Sequence, residues 1–254
     1  MALDHRPVED QAVEPIGDGL RPPMINPTLA GRLGFAHRLP TQASLPPGRN
    51  ALELFPKRDA VLVVPPGIDS RRPAPLVVLF HGGGGSAEKI LPMLEEHANE
   101  RGFLLLAPQS LFPTWDLVIG GHGPDRERLA LALSEVASRF LLDPARFAFA
   151  GHSDGGSYAL SIGLANGDLA SHVVASSAGF LSVAIQVGAP RIFISHGTRD
   201  EQIPIDRSAR VHAARLGEAG YDVTAVEYDG PHAYQPEVVA RAVDFIFTDG
   251  GVTE

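Results

Sequence analysis

The 254-residue sequence contains no cysteine. Disulfide bridges, a thiolate nucleophile and cysteine-ligated metal are therefore excluded. Basic residues are in deficit, with 21 Lys and Arg against 30 Asp and Glu and a formal charge of −9. Nucleic acid and anionic membrane surfaces need clustered Lys or Arg, whereas the pair Arg71-Arg72 belongs to no longer basic run. No stretch approaches the roughly 18 apolar residues that span a bilayer. The segment from Met1 to Ala30 carries charges, prolines and glycines but no apolar core of a secretory signal. The expectation is a cytoplasmic protein that neither binds nucleic acid nor inserts into a membrane. Ten histidines are present, but no H-x-x-x-H or H-x-H spacing supports a histidine metal site. No metal and no organic cofactor is expected.

What is present is an ordinary globular composition, 44% hydrophobic and 20% charged, in a chain long enough to bury one sizeable core. The first fifty residues are rich in proline and glycine. Residues 1–28 read as an extended or partly disordered arm, and residues 29–254 as a single domain. Short strands of antiparallel, edge character are expected over 34–39 and 60–64, the second ended by Pro65-Pro66-Gly67. From Leu76 the pattern alternates. Apolar runs over 76–80, 103–107, 147–150, 172–176, 191–195 and 223–228 read as strands. Between and after them, 86–101, 125–141, 156–165, 205–219 and 236–247 read as helices. Such alternation predicts a mostly parallel sheet covered on both faces.

Chemistry concentrates at the ends of these strands. Gly151-His152-Ser153-Asp154-Gly155 follows one apolar run and precedes a helix, a G-x-S-x-G arrangement that projects the serine hydroxyl from a strained strand-to-helix turn. The alternative role for Ser153 is to cap that helix. His81-Gly82-Gly83-Gly84-Gly85 follows another strand. As a phosphate-cradling loop it would lack the Gly-Lys-Ser/Thr ending, and Lys89 falls too late to supply it. An acid and a histidine follow Ser153 in the order Asp200, His232, each just after a strand. A serine hydroxyl is a weak nucleophile unless an adjacent base takes its proton, and this order supplies a base and an acid to orient it.

Five motifs carry a family resemblance: His81-Gly82-Gly83-Gly84-Gly85, Pro113-Thr114-Trp115-Asp116, Gly151-His152-Ser153-Asp154-Gly155-Gly156, His196-Gly197-Thr198-Arg199-Asp200 and Gly230-Pro231-His232. From about Gly34 onward the chain resembles the α/β-hydrolase fold. Within it, the chain is similar to the phospholipase/carboxylesterase group and its polyhydroxybutyrate-depolymerase-like and feruloyl-esterase-like relatives. The resemblance implies an α/β fold with a mostly parallel twisted sheet and helices on both faces; the short stretch between the strands at 172–176 and 191–195, where many relatives insert a lid, predicts an open site with no large lid domain. It implies Ser153 as nucleophile, His232 as general base and Asp200 as orienting acid, with Asp206 and Asp229 as competing acids. It places the oxyanion donors at the N–H groups of Asp154 and Gly83, with Gly84 open because four glycines blur the register. Trp115 is assigned to the substrate pocket, the alternative being a packing residue under its loop. Asp154 departs from the glutamine or alanine often found beside the nucleophile, which leaves its side chain to hydrogen-bond a polar substrate or to cap the helix.

The function implied is cleavage of a small-molecule carboxylic ester through an acyl-enzyme (EC 3.1.1). A thioesterase or other acyl hydrolase on the same fold is the nearest alternative, and a non-catalytic ligand receptor the alternative of another class. Oligomeric state stays open, a homodimer among the options.

Overall fold

The computed structural model describes residues 30–248, and the arm read over 1–28 lies outside them. The continuous apolar runs become strands, mostly buried on both faces except over 223–228, where only Val226 is buried. The strands are β1 (Gly48–Ala51), β2 (Val61–Val64), β3 (Ala74–Phe80), β4 (Leu104–Ala107), β5 (Leu142–His152), β6 (His172–Ser176), β7 (Arg191–Gly197) and β8 (Val223–Tyr228). They form one sheet in the order β1-β2-β4-β3-β5-β6-β7-β8. Pairing is antiparallel for β1–β2 and β2–β4 and parallel from β4 to β8.

Side chains alternate across this sheet. Leu76, Val78 and Phe80 of β3 enter one apolar core, while Val77 and Leu79 enter the other. The first core is closed by α4 (Pro124–Arg139), α5 (Asp154–Ala165) and α6 (Ala209–Glu218). The second is closed by α1 (Ala87–Ile90), α2 (Glu95–Arg101) and α7 (Pro236–Phe247). Proline opens both α4 and α7, where its missing N–H would lack a helical partner anyway.

Three expectations are corrected. Residues 34–39 form no strand; the stretch is mostly exposed, with the rings of Phe35 and His37 set against Phe147 of the first core. The sheet edge is instead β1, whose Gly-Arg-Asn-Ala sequence has no apolar alternation to announce it. The helix read over 86–101 is three pieces, because Pro92 sits in a tight helical turn, Leu91–Met93, between α1 and α2. Proline cannot donate to the preceding turn. The helix read over 205–219 likewise begins as a separate turn, Ile205–Arg207, since Ser208 adopts φ −132° and ψ −98° before α6 starts. A short helix absent from the sequence reading, α3 (Asp116–Ile119), lies between β4 and α4.

The connection from β6 to β7, residues 177–190, holds no helix and inserts no lid. Strand order reverses at β3, with β4 on one side and β5 on the other. In such sheets the crevice beyond the carboxyl ends of the strands at the reversal is where ligands bind. The loops after β3 and β5 open there.

Candidate active site

Ser153 sits between β5 and α5 with φ 59° and ψ −124°, a conformation costly for a side-chain-bearing residue. It persists because its surroundings hold it. Its N–H donates to the Ser176 carbonyl of β6 at 2.9 Å. The chain on either side passes so close to neighbouring backbone that a Cβ on Gly151 would lie 2.2 Å from the Gly155 carbonyl oxygen, and one on Gly155 only 2.1 Å from that of Phe80. The Ser153 side chain makes no capping hydrogen bond to α5. Its Oγ lies 2.9 Å from Nε2 of His232 instead.

His232 follows β8 in a loop stitched to the end of β7. The Arg199 N–H donates to the Gly230 carbonyl at 3.0 Å, and that of Thr198 to the Tyr228 carbonyl at 2.9 Å. This lattice brings Asp200 to the histidine, with Nδ1 of His232 2.6 Å from Oδ2. The other carboxylate oxygen accepts from the N–H groups of Gln202 at 3.0 Å and Ile203 at 2.8 Å. Burial pushes the Asp200 pKa up, but the Ile203 N–H and the contact with His232 outweigh it and hold the group below its ordinary value. The competing acids point elsewhere, Asp206 to Arg210 at 2.6 Å and Asp229 to Arg199 at 2.7 Å.

Two further histidines frame this array. Nε2 of His196 lies 3.1 Å from Asp200 Oδ2 and 2.8 Å from the Ile203 carbonyl. The His152 ring lies 5.0 Å from that of His232. Burial, and then the proximity of His232, push its pKa down to about 4. His152 is thus neutral near pH 7, and its Nδ1 shares a hydrogen bond with Ser176 Oγ at 3.2 Å.

Two N–H groups of the glycine loop are committed within the structure. Gly84 donates its N–H to the Pro113 carbonyl at 2.7 Å and Gly85 to that of Gly82 at 3.0 Å. The N–H of Gly83 has no acceptor among the described residues, nor has that of Asp154 at the first position of α5. Beneath the loop, Nε2 of His81 accepts from the Ser110 N–H at 3.3 Å, so Nδ1 carries the proton and donates to the Gly82 carbonyl at 2.8 Å.

Trp115 is placed differently from its pocket assignment. It is 1% exposed, stacks on Tyr158 with centroids 4.7 Å apart, and donates its indole N–H to the His81 carbonyl at 2.8 Å. It braces the glycine loop from below, since a side chain sealed under that loop has no surface to offer a ligand.

Sequence reasoning assigned no role to Thr114, whose Oγ1 donates to Asp154 Oδ2 at 2.6 Å. Beside the site, a cavity of about 410 Å³ is lined by Arg199, Glu201, Gln202, Pro231 and His232. Among the described residues no group of three His, Cys, Asp or Glu side chains could hold a metal ion, and no helix is long and apolar enough to cross a membrane.

Neither a protein-family model nor a curated protein matches the chain by sequence. Solved structures do match by shape. Propionate-bound esterase 2 from Thermogutta terrifontis superposes with a TM-score of 0.63 at 17% identity, over 82% of this chain and 96% of that one. S-formylglutathione hydrolase from Staphylococcus aureus gives 0.61 at 17% identity, over 75% and 92%. Esterase PE8 gives 0.60 at 20% identity, over 73% and 96%. The chain has the α/β-hydrolase fold.

Proposed function

We propose that this protein is a serine hydrolase that cleaves carboxylic esters through an acyl-enzyme. The observation that carries the reading is the continuous array Asp200–His232–Ser153, with contacts of 2.6 and 2.9 Å, ending on a hydroxyl that the strained elbow presents at the strand reversal. In this reading Asp200 fixes the histidine with its proton on Nδ1, leaving Nε2 free to take the Ser153 proton as Oγ attacks the ester carbonyl. The tetrahedral intermediate places its negative oxygen against the uncommitted N–H groups of Gly83 and Asp154. Collapse expels the alcohol, protonated by His232. Water then attacks the acyl-enzyme by the same route in reverse. Each step uses side chains and backbone donors alone.

The solved neighbours are in keeping with a small acyl group, since one is a propionate-bound esterase and another an S-formylglutathione hydrolase. The lid-free β6–β7 connection points the same way. A series of p-nitrophenyl esters from acetate to dodecanoate, assayed with wild type and Ser153→Ala, tests this. Turnover is expected to be highest on short acyl chains and to fall at least about 10³-fold in the variant. A strong preference for long chains would contradict the open site, and unchanged turnover in the variant would contradict the nucleophile. Thioester and amide versions of the best acyl group separate esterase from its neighbours on the same fold.

A further inference from the structure

Asp154 carries two groups with opposing consequences for the reaction proposed above. Its N–H lies free at the first turn of α5, where the ester oxygen becomes negative. Its carboxylate belongs to the same residue and is folded back over the other oxyanion donor, since a Cβ added to Gly83 would come within 2.7 Å of Asp154 Oδ2. The hydroxyl of Thr114 is the donor this carboxylate has, at 2.6 Å, and among the described residues no Lys or Arg forms an ion pair with it. A carboxylate offers about four lone-pair sites, so Thr114 leaves most of its accepting capacity unused.

The geometry is unfavourable for a neutral ester. A second negative charge beside the forming oxyanion opposes the stabilisation that the two N–H groups supply. A cation on the substrate removes the conflict by pairing with the carboxylate while the oxyanion forms. In the cavity beside His232, the Arg199 guanidinium is engaged by Asp229 at 2.7 Å, while Glu201 has no ion pair among the described residues. Arg58 donates to the carbonyls of Ser110 and Phe112 and forms no ion pair with Asp154. The Asp154 carboxylate therefore stands next to Ser153 without an ion-pair partner, in a chain of formal charge −9.

We propose that Asp154 makes this site selective for esters bearing an ammonium or other cationic group within a few bonds of the scissile carbonyl. This deepens the ester-hydrolase reading and rests on it. Thr114 holds the carboxylate over Gly83, and the carboxylate sets the charge that a substrate must bring.

The test compares acetylcholine with neohexyl acetate, its uncharged carbon isostere, in wild type and Asp154→Asn. The quantity read is the ratio of kcat/KM for the two esters, so that any general loss in the variant cancels. Wild type is expected to favour the cationic ester by about tenfold or more. Asp154→Asn, which keeps the backbone N–H and the side-chain shape, is expected to bring the ratio toward unity, whatever general loss it causes on both esters. Raising salt should erode the wild-type preference, and this second reading decides the matter if the variant does not fold. Equal cleavage of both esters by wild type, or a ratio that Asp154→Asn leaves unchanged, overturns the selectivity and leaves the hydrolase reading standing. Failure of wild type on these and on all p-nitrophenyl esters overturns both.

Discussion

Asp200→Asn is expected to lower kcat on p-nitrophenyl acetate by about 10⁴-fold without unfolding the protein. The size follows from which end of the new amide faces the histidine. One carboxylate oxygen of Asp200 accepts from the backbone N–H groups of Gln202 and Ile203. Only the amide oxygen can occupy that position, because the NH2 end would meet two donors. The NH2 is then turned to Nδ1 of His232, now 2.6 Å from a carboxylate oxygen. A donor there forces the imidazole proton onto Nε2, which faces Ser153 Oγ at 2.9 Å and can no longer take its proton. Circular dichroism and kcat measured together check this. A fall of less than about tenfold in a folded variant would remove Asp200 from the orienting role, since a wrong tautomer cannot be nearly harmless.

Gly155→Ala is expected to destabilise the fold by at least about 3 kcal/mol. Helix propensity alone predicts the opposite, because alanine in a helix is favoured over glycine by about 1 kcal/mol. Packing wins here: the added Cβ would lie 2.1 Å from the Phe80 carbonyl oxygen and 2.6 Å from that of His81. Both are backbone atoms of β3 and the loop after it, so relief requires α5 to move away from the strand that delivers the glycine loop. Gly217→Ala in α6 is the internal control, since nothing lies within 4 Å of its added Cβ. That variant should be stabilised by up to about 1 kcal/mol. Urea midpoints of the two variants should therefore shift in opposite directions. A Gly155→Ala protein as stable as wild type would mean that the elbow is not held by this close approach.

Legibility tracked how local the cause of each feature was. β6 and β8 match their apolar runs residue for residue, and α7 begins at the proline that announced it. β6 is buried at every position, and a parallel strand buried on both faces is a continuous apolar run that composition marks, whereas β8, with only Val226 buried, is marked by its β-branched and aromatic residues. β1 escaped because its residues are mostly exposed and need only backbone pairing with β2. Ser153, Asp200 and His232 were legible because glycine-flanked turns at strand ends are local signals. The structure brings all three into one hydrogen-bonded line, and in the glycine loop it commits the Gly84 N–H to Pro113 while leaving that of Gly83 without an acceptor among the described residues.

The place of Trp115 was not legible. It depends on Tyr158 in α5 and on the carbonyl of His81, neither of them near it in sequence. The same holds for Thr114, forty positions from the Asp154 carboxylate it binds, and for His196, whose contact with Asp200 depends on the turn between them.

The account stands most directly on Ser153 being an activated nucleophile. A fluorophosphonate probe, which is attacked by such a hydroxyl and leaves a stable adduct, followed by intact mass and peptide mapping, reads this without knowledge of the substrate. The account predicts a single adduct on the peptide containing Ser153, absent in Ser153→Ala and formed far more slowly in His232→Ala. A folded protein that takes no label, or takes it at another residue, would contradict it.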